Sequence, residues 1–233
     1  MCYTFSEIMS DQFIFVKTLS QSDRKTAVVL RHKLTETEIV QIRCRGNAEV
    51  YRTLQKLQHP NLPAIYSVTV QNGDVEVIEA YVPGLTVAEV LQTGLYTEDG
   101  TRAVVRALCN ALDALHSVRI IHRDIKPENV MIGTTGQVYL IDFDASRIYK
   151  TYQTQDTSLI GTAGFAAPEQ YGFNQTDPRS DIFALGVLMN VMLTGEHPSK
   201  KLYTGKLHRV IERCIQMDPN KRFGSAKDLF YTL

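Results

Sequence analysis

The residues of this chain best suited to chemistry lie in one stretch, Ile121 to Met131, I-H-R-D-I-K-P-E-N-V-M, and in Asp142-Phe143-Asp144 shortly after it. Read by side-chain type, they suit transfer of a phosphoryl group to a hydroxyl. Asp124 can orient the acceptor hydroxyl and take its proton. Lys126 can neutralise charge on the moving phosphoryl. Asn129 and Asp142 offer the hard oxygen ligands that metal ions bridging phosphates require. The competing reading is a plain polar surface loop, and the landmarks further along the chain argue against it.

The chain that must hold these groups has 233 residues, 44% of them hydrophobic and 21% charged. That length can bury a core without covalent staples. Lys and Arg number 25, and so do Asp and Glu, so the chain lacks the basic excess of a nucleic-acid binder. Cys2, Cys44, Cys109 and Cys214 are far apart and form no C-x-x-C pair. They suit neither a zinc site nor a disulfide framework, and point to reduced thiols in the cytoplasm. No apolar run reaches membrane-spanning length, and the N-terminus lacks a signal-peptide core.

Residues 1–12 read as a lead-in. Strands are expected at 13–19, 26–30 and 38–44, where β-branched residues recur. A helix is expected over 47–57, with Val50, Leu54 and Leu57 at helical spacing. His59-Pro60-Asn61 breaks it. A hairpin turns at Asn72-Gly73 between strands at 64–70 and 74–79. The second half reads as mostly helical: 86–92, a long helix from Thr97 or Glu98 to about His116, one starting near Pro178, and closing helices at 206–217 and 225–233. Short strands at 130–132 and 137–141 set Asn129 and Asp142 at their ends.

The loop at His122 to Asn129 closely resembles the catalytic loop of protein kinases, with Lys126 marking the serine/threonine branch. Gly161 to Tyr171, G-T-A-G-F-A-A-P-E-Q-Y, resembles the substrate-docking region of bacterial members. The resemblance covers residues 13–233 and implies an α+β, bilobal protein-kinase-like fold. A small β-sheet lobe would span about 13–80 and a larger helical lobe about 84–233. It further implies ATP, and magnesium with manganese as an alternative. Ala80 C=O and Val82 N–H would bond the adenine edge from the segment that joins the lobes, with Glu79 controlling the depth of the nucleotide pocket. Thr162 would bond Asp124 and Lys126. Arg123 would grip a phosphate, or the carboxylate of Asp156, on an activation segment that offers Thr154 and Thr157. Asp181 would hold the catalytic loop from beneath, and Glu169 would pair with Arg222 in a buried structural ion pair.

The first sixty residues depart from the family pattern. Ser20, Ser22 and Lys25 stand where three phosphate-covering glycines belong; a plain hairpin turn is the other reading. The strand lysine is lost in either of two registers. If Val40 roofs the adenine, Ile42 occupies its position. If Arg43 occupies it, Gln41 is the roof, and Arg43 could still hold a phosphate in a different geometry. The partner glutamate's position is Val50, one residue from Glu49. Asp144 replaces the glycine of D-F-G, either as an extra metal ligand or as a solvent-facing residue. Between Gly195 and Lys206 a docking helix usual in the family is missing.

Two functional classes follow. One is an ATP-dependent serine/threonine kinase acting on a protein hydroxyl. The other is a pseudokinase, an interaction module that senses nucleotide or scaffolds partners. A small-molecule kinase is a third reading, disfavoured by Thr162 with Lys126. The sequence names neither substrate nor oligomeric state.

Overall fold

The computed structural model describes residues 11–149, 162, 164–171 and 176–233. Thr154, Asp156 and Thr157 lie outside these residues. Two compact units are formed. One runs from the N-terminus to Gln58 and adds Pro63–Tyr81; the other comprises His59–Leu62 and Val82–Leu233.

The first unit is an antiparallel sheet of β1 (Phe13–Gln21), β2 (Lys25–His32), β3 (Glu38–Cys44), β4 (Ile65–Gln71) and β5 (Asp74–Ala80), in the order β1-β2-β3-β5-β4. The β4–β5 turn needs left-handed backbone at both central residues, and Asn72 (φ 52°) with Gly73 (φ 87°) supplies it. Helix α1 (Ala48–Lys56) starts on Asn47, whose side chain accepts the Glu49 N–H at 3.0 Å. It packs on β4 and buries Val50, Tyr51 and Leu54.

Strand pairing fixes which side chains share a face, because side chains alternate along each strand. Val29, Val40 and Glu79 form one cross-strand row, and Ala27, Ile42 and Val77 the next on the same face. All six are buried. Thr26, Arg43 and Glu76 form a row on the opposite face, where Arg43 Nε lies 3.2 Å from Glu76 Oε1.

In the second unit β6 (Gly84–Thr86) leads into α2 (Val87–Leu91), which Thr86 and Glu89 close with a capping box. Helix α3 (Glu98–Ser117) follows, burying Val104, Val105, Leu108, Leu112 and Leu115. Next come β7 (Ile120–Ile121), β8 (Val130–Gly133), β9 (Val138–Leu140) and β10 (Arg147–Ile148). β6, β8 and β9 make one small sheet, and β7 pairs with β10. The β6 and β7–β10 pairings were not expected from sequence: segments this short carry no period to read.

Helix α4 (Pro178–Thr194) is the centre of this unit, with Asp177 as its cap and Gly195 (φ 72°) ending it. It is buried nearly all round, so it lacks the one-sided pattern of a surface helix. Gly186 admits α5 (His208–Cys214): a Cβ there would stand 2.5 Å from Cys214 Cβ. Helix α6 (Ala226–Thr232) ends the chain. Residues 195–207 form no helix, as the short spacing implied.

His59–Leu62 belongs to the second unit, although it precedes β4. Asn61 explains this: its Nδ2 donates to Val138 O at 2.8 Å, and its C=O accepts the Leu140 N–H at 2.9 Å. Among the described residues no helix is long and apolar enough to cross a membrane. Cys44, Cys109 and Cys214 are buried, and burial pushes the Cys109 thiol up to about 12.

Candidate active site

The site is built on α4. Asp181, fully buried in its first turn, accepts the backbone N–H groups of His122 (3.0 Å) and Arg123 (2.8 Å) and bonds His116 Nε2 (2.8 Å). Arg123 itself takes a left-handed conformation, φ 69°. Burial alone would raise the Asp181 carboxyl; the His116 bond and the amide donors outweigh it, and its pKa lies below the ordinary value. Gln170 braces the same turn, donating to Arg123 O at 2.9 Å while its own carbonyl accepts the Ala167 N–H at 3.1 Å.

Asp124 projects from this loop into a closed polar set. Lys126 Nζ lies 2.8 Å from Asp124 Oδ2 and donates to Thr162 Oγ1 at 2.8 Å. Thr162 Oγ1 donates in turn to Asp124 Oδ1 at 2.7 Å. Asn129 Nδ2 donates to Asp124 Oδ2 at 2.9 Å and to Asp124 O at 2.8 Å. Burial would push the Asp124 carboxyl up, but the hydrogen bonds from Lys126 and Thr162 and the lysine's charge hold it below the usual range. The group is therefore a carboxylate at neutral pH, suited to accepting a hydroxyl's hydrogen bond.

With its NH₂ spent on Asp124, Asn129 keeps the amide oxygen for a cation. The Ile141 N–H donates to Asn129 O at 2.9 Å, which ties the end of β9 to this loop and brings Asp142 beside it. Asp142 is left-handed (φ 67°), and its Oδ1 accepts the Asp144 N–H at 3.3 Å. Asp144 is half-buried, not simply solvent-facing. Phe143 is buried and packs edge-on against His122, ring centroids 5.2 Å apart. Among the described residues no group of three or more His, Cys, Asp or Glu forms a ready metal cage. Two protein oxygens, from Asn129 and Asp142, fit a cation that takes its remaining ligands from phosphate and water, as magnesium does.

Beneath the loop that follows Thr162, Arg222 meets Glu169 bidentately at 2.7 and 3.0 Å. Ser180 Oγ adds a 2.7 Å bond to Glu169, and Arg222 also donates to Gln216 O and Arg179 O at 2.7 and 2.9 Å. Both partners are buried, so each charge is compensated in place.

A protein kinase domain model matches residues 10–231. The chain belongs to the protein kinase family. It is 34% identical over 181 residues to the serine/threonine-protein kinase PknB of Mycobacterium leprae, covering 73% of this chain and 28% of that protein. The probable serine/threonine-protein kinase PknB of Bifidobacterium longum is 32% identical, with coverages of 73% and 26%, and that of Corynebacterium glutamicum 34%, with 79% and 30%. The chain thus spans under a third of the length of these relatives.

Val40 and Ile42 share a buried face of the sheet with Glu79, and Arg43 lies on the other. The Arg43 side chain, expected in one of the two registers to hold a phosphate, is 59% exposed and bonded to Glu76. It does not pair with Glu49 either, which is exposed in the first turn of α1. Ile42 and Val50, where one register of the kinase pattern sets the family's lysine and glutamate, are 4% and 0% exposed. The segment where the family carries its glycine-rich loop is a tight hairpin turn in which Ser22 Oγ accepts the Lys25 and Arg24 N–H groups at 3.1 and 3.3 Å. Ala80 ends β5, its N–H donating to Ala64 O at 2.8 Å, and Val82 opens the second unit.

Sequence reasoning missed His116, Gln170 and Arg147. His116 and Gln170 carry no motif of their own beyond their places before and after recognised segments. Arg147 is half-buried, and burial followed by repulsion from Arg123 lowers its pKa.

Proposed function

We propose that this chain is a serine/threonine protein kinase that transfers the γ-phosphoryl of ATP to a protein hydroxyl. The observation that carries the reading is the closed set of Asp124, Lys126, Thr162 and Asn129, whose distances all lie between 2.7 and 2.9 Å. Asp124 receives the acceptor hydroxyl and its proton. Lys126 meets the charge that develops on the transferred group. Thr162 bonds both and fixes their geometry. Asn129 and Asp142 hold magnesium or manganese, which when bound neutralises phosphate charge. Ala80 C=O and Val82 N–H take the adenine edge. Arg123 with Arg147 forms a cationic pair suited to a phosphate on Thr157 or to Asp156. The cysteine pattern suits a bacterial cytoplasm, and balanced charge argues against a nucleic-acid partner.

A second reading, a nucleotide-sensing or scaffolding pseudokinase, is supported by the burial of Ile42 and Val50: with Ile42 at the lysine position the cation that would grip the α- and β-phosphates is lost, and with Val50 its partner glutamate. Nucleotide affinity in this chain must then lean on metal. Magnesium-ATP is expected to raise the melting temperature, and Asp142→Asn to abolish the rise. Intact-mass spectrometry with magnesium or manganese is expected to find phosphate on the parent and none on Asp124→Asn. No incorporation into the chain itself or into casein would sink the kinase reading in favour of the pseudokinase.

A further inference from the structure

Where the family usually carries a docking helix, residues 195–207 form a strap wired to the two long helices. Asn190 of α4, with no exposed surface, donates to Glu196 O and Lys201 O at 2.8 Å each and accepts the Tyr203 N–H at 2.9 Å. Glu98 of α3 accepts the Tyr203 hydroxyl and the Lys206 N–H, both at 2.7 Å. From this strap His197 reaches out to Gly164, with 2.8 Å between Nε2 and Gly164 O.

The direction of that bond can be deduced. His197 Nδ1 lies 3.2 Å from the Ser199 N–H, which can only donate, and 2.7 Å from Ser199 Oγ. Nδ1 is therefore the acceptor nitrogen, the ring proton sits on Nε2, and the histidine donates to Gly164 O. Gly164 (φ 92°) is the apex of a turn in which the Phe165 and Ala166 N–H groups both bond Thr162 O at 3.0 Å. The same Thr162 bonds Asp124 through its hydroxyl. One turn thus links His197 to the residue proposed to receive the acceptor hydroxyl.

This exposed turn closes on Thr162 and so lies beside the carboxylate assigned above to the acceptor hydroxyl. We propose that His197 is a positioning residue for the protein acceptor, holding the turn at Gly164 from a strap that takes the docking helix's place. The proposal rests on the kinase reading for its consequence, but not for the anchor itself. In this arrangement α4 supports both sides of the reaction: Asp181 holds the catalytic loop, and Asn190 holds the strap behind the acceptor turn. Recognition then depends on a short stretch of acceptor around the hydroxyl and not on a distant docking surface.

Two readouts on the full chain separate the anchor from the activity. In hydrogen exchange, His197→Ala is expected to speed exchange across residues 164–171, and His197→Gln, which keeps an amide donor, to restore protection. In steady-state kinetics with casein, His197→Ala is expected to raise the acceptor KM about fivefold, the worth of one neutral hydrogen bond, with the KM for ATP and kcat within about twofold of the parent. Unchanged exchange together with an unchanged acceptor KM overturns the proposal. So does a parallel fall in kcat and rise in both KM values, which would mark a merely structural role. Exchange that responds as stated in a chain that phosphorylates nothing upholds the anchor while the kinase reading falls. Transfer that persists with unresponsive exchange does the reverse.

Discussion

The two units of this chain treat charge in opposite ways. In the helical unit every polar member of the kinase pattern is retained and bonded: Asp181 to the loop amides, Asp124 to Lys126, Thr162 and Asn129, Glu169 to Arg222. In the sheet unit Ile42 and Val50, which one register of the kinase pattern sets at the places of the family's lysine and glutamate, are buried apolar residues. Loss of one partner of a buried ion pair leaves an uncompensated charge, whereas exchange of both for apolar groups is close to neutral. The turn between β1 and β2 is likewise self-contained: Ser22 spends its hydroxyl on the turn itself.

The sharpest way to break this contrast is to cut the charge network of the helical unit. Arg222→Ala or Glu169→Ala is expected to cost about 3–5 kcal/mol, because the surviving charge stays buried. Chemical denaturation measures it, and a neutral result for both variants would mean that the pair contributes no stability. Restoring charge to the sheet unit tests the other side. Ile42→Lys alone should cost a comparable amount, about 3–5 kcal/mol. Adding Val50→Glu should recover part of it, with a coupling of about 1–3 kcal/mol in a double-mutant cycle. An additive double variant would show that the two positions no longer face each other.

A smaller effect is expected from acid. The folded pKa of Asp181 is held below its ordinary value of 3.8, so its contribution is complete above that pH and is lost as pH falls through the depressed pKa. Asp181→Asn should be less stable than the parent at neutral pH by about 2–3 kcal/mol, the worth of hydrogen bonds to a charged group. The gap should close below about pH 4. Melting curves between neutral pH and strong acid would show it, and a gap that widens in acid would contradict the assignment. The smallest effect belongs to the hairpin: Ser22→Ala should cost about 1 kcal/mol or less and leave magnesium-ATP binding unchanged. A marked loss of nucleotide affinity would mean that the serine serves phosphate as well as the turn.

What the sequence by itself determined is which polar residues of the helical unit could do chemistry. Asp124, Lys126, Asn129 and Asp142 could be named from residue type and spacing, and Thr162, Glu169, Asp181 and Arg222 from the resemblance to protein kinases, because a loop that must present several polar groups in fixed order tolerates few sequences. The main strands and helices were equally legible, since strand alternation and helical spacing run over enough residues to be counted. Only the tertiary structure decided the sheet unit. The face taken by Ile42 or Arg43 depends on strand register, and a shift of one residue exchanges the two faces; pairing with β2 and β5 settles it, and the sequence of β3 alone cannot. The short pairings of β6 and of β7 with β10 have no period to detect. The membership of His59–Leu62 in the helical unit rests on two hydrogen bonds from Asn61 to a strand far along the chain. His197 was invisible for the same reason. A lone histidine in a polar loop acquires a role only when the fold brings Gly164 to its ring nitrogen, and no local pattern encodes a partner that distant.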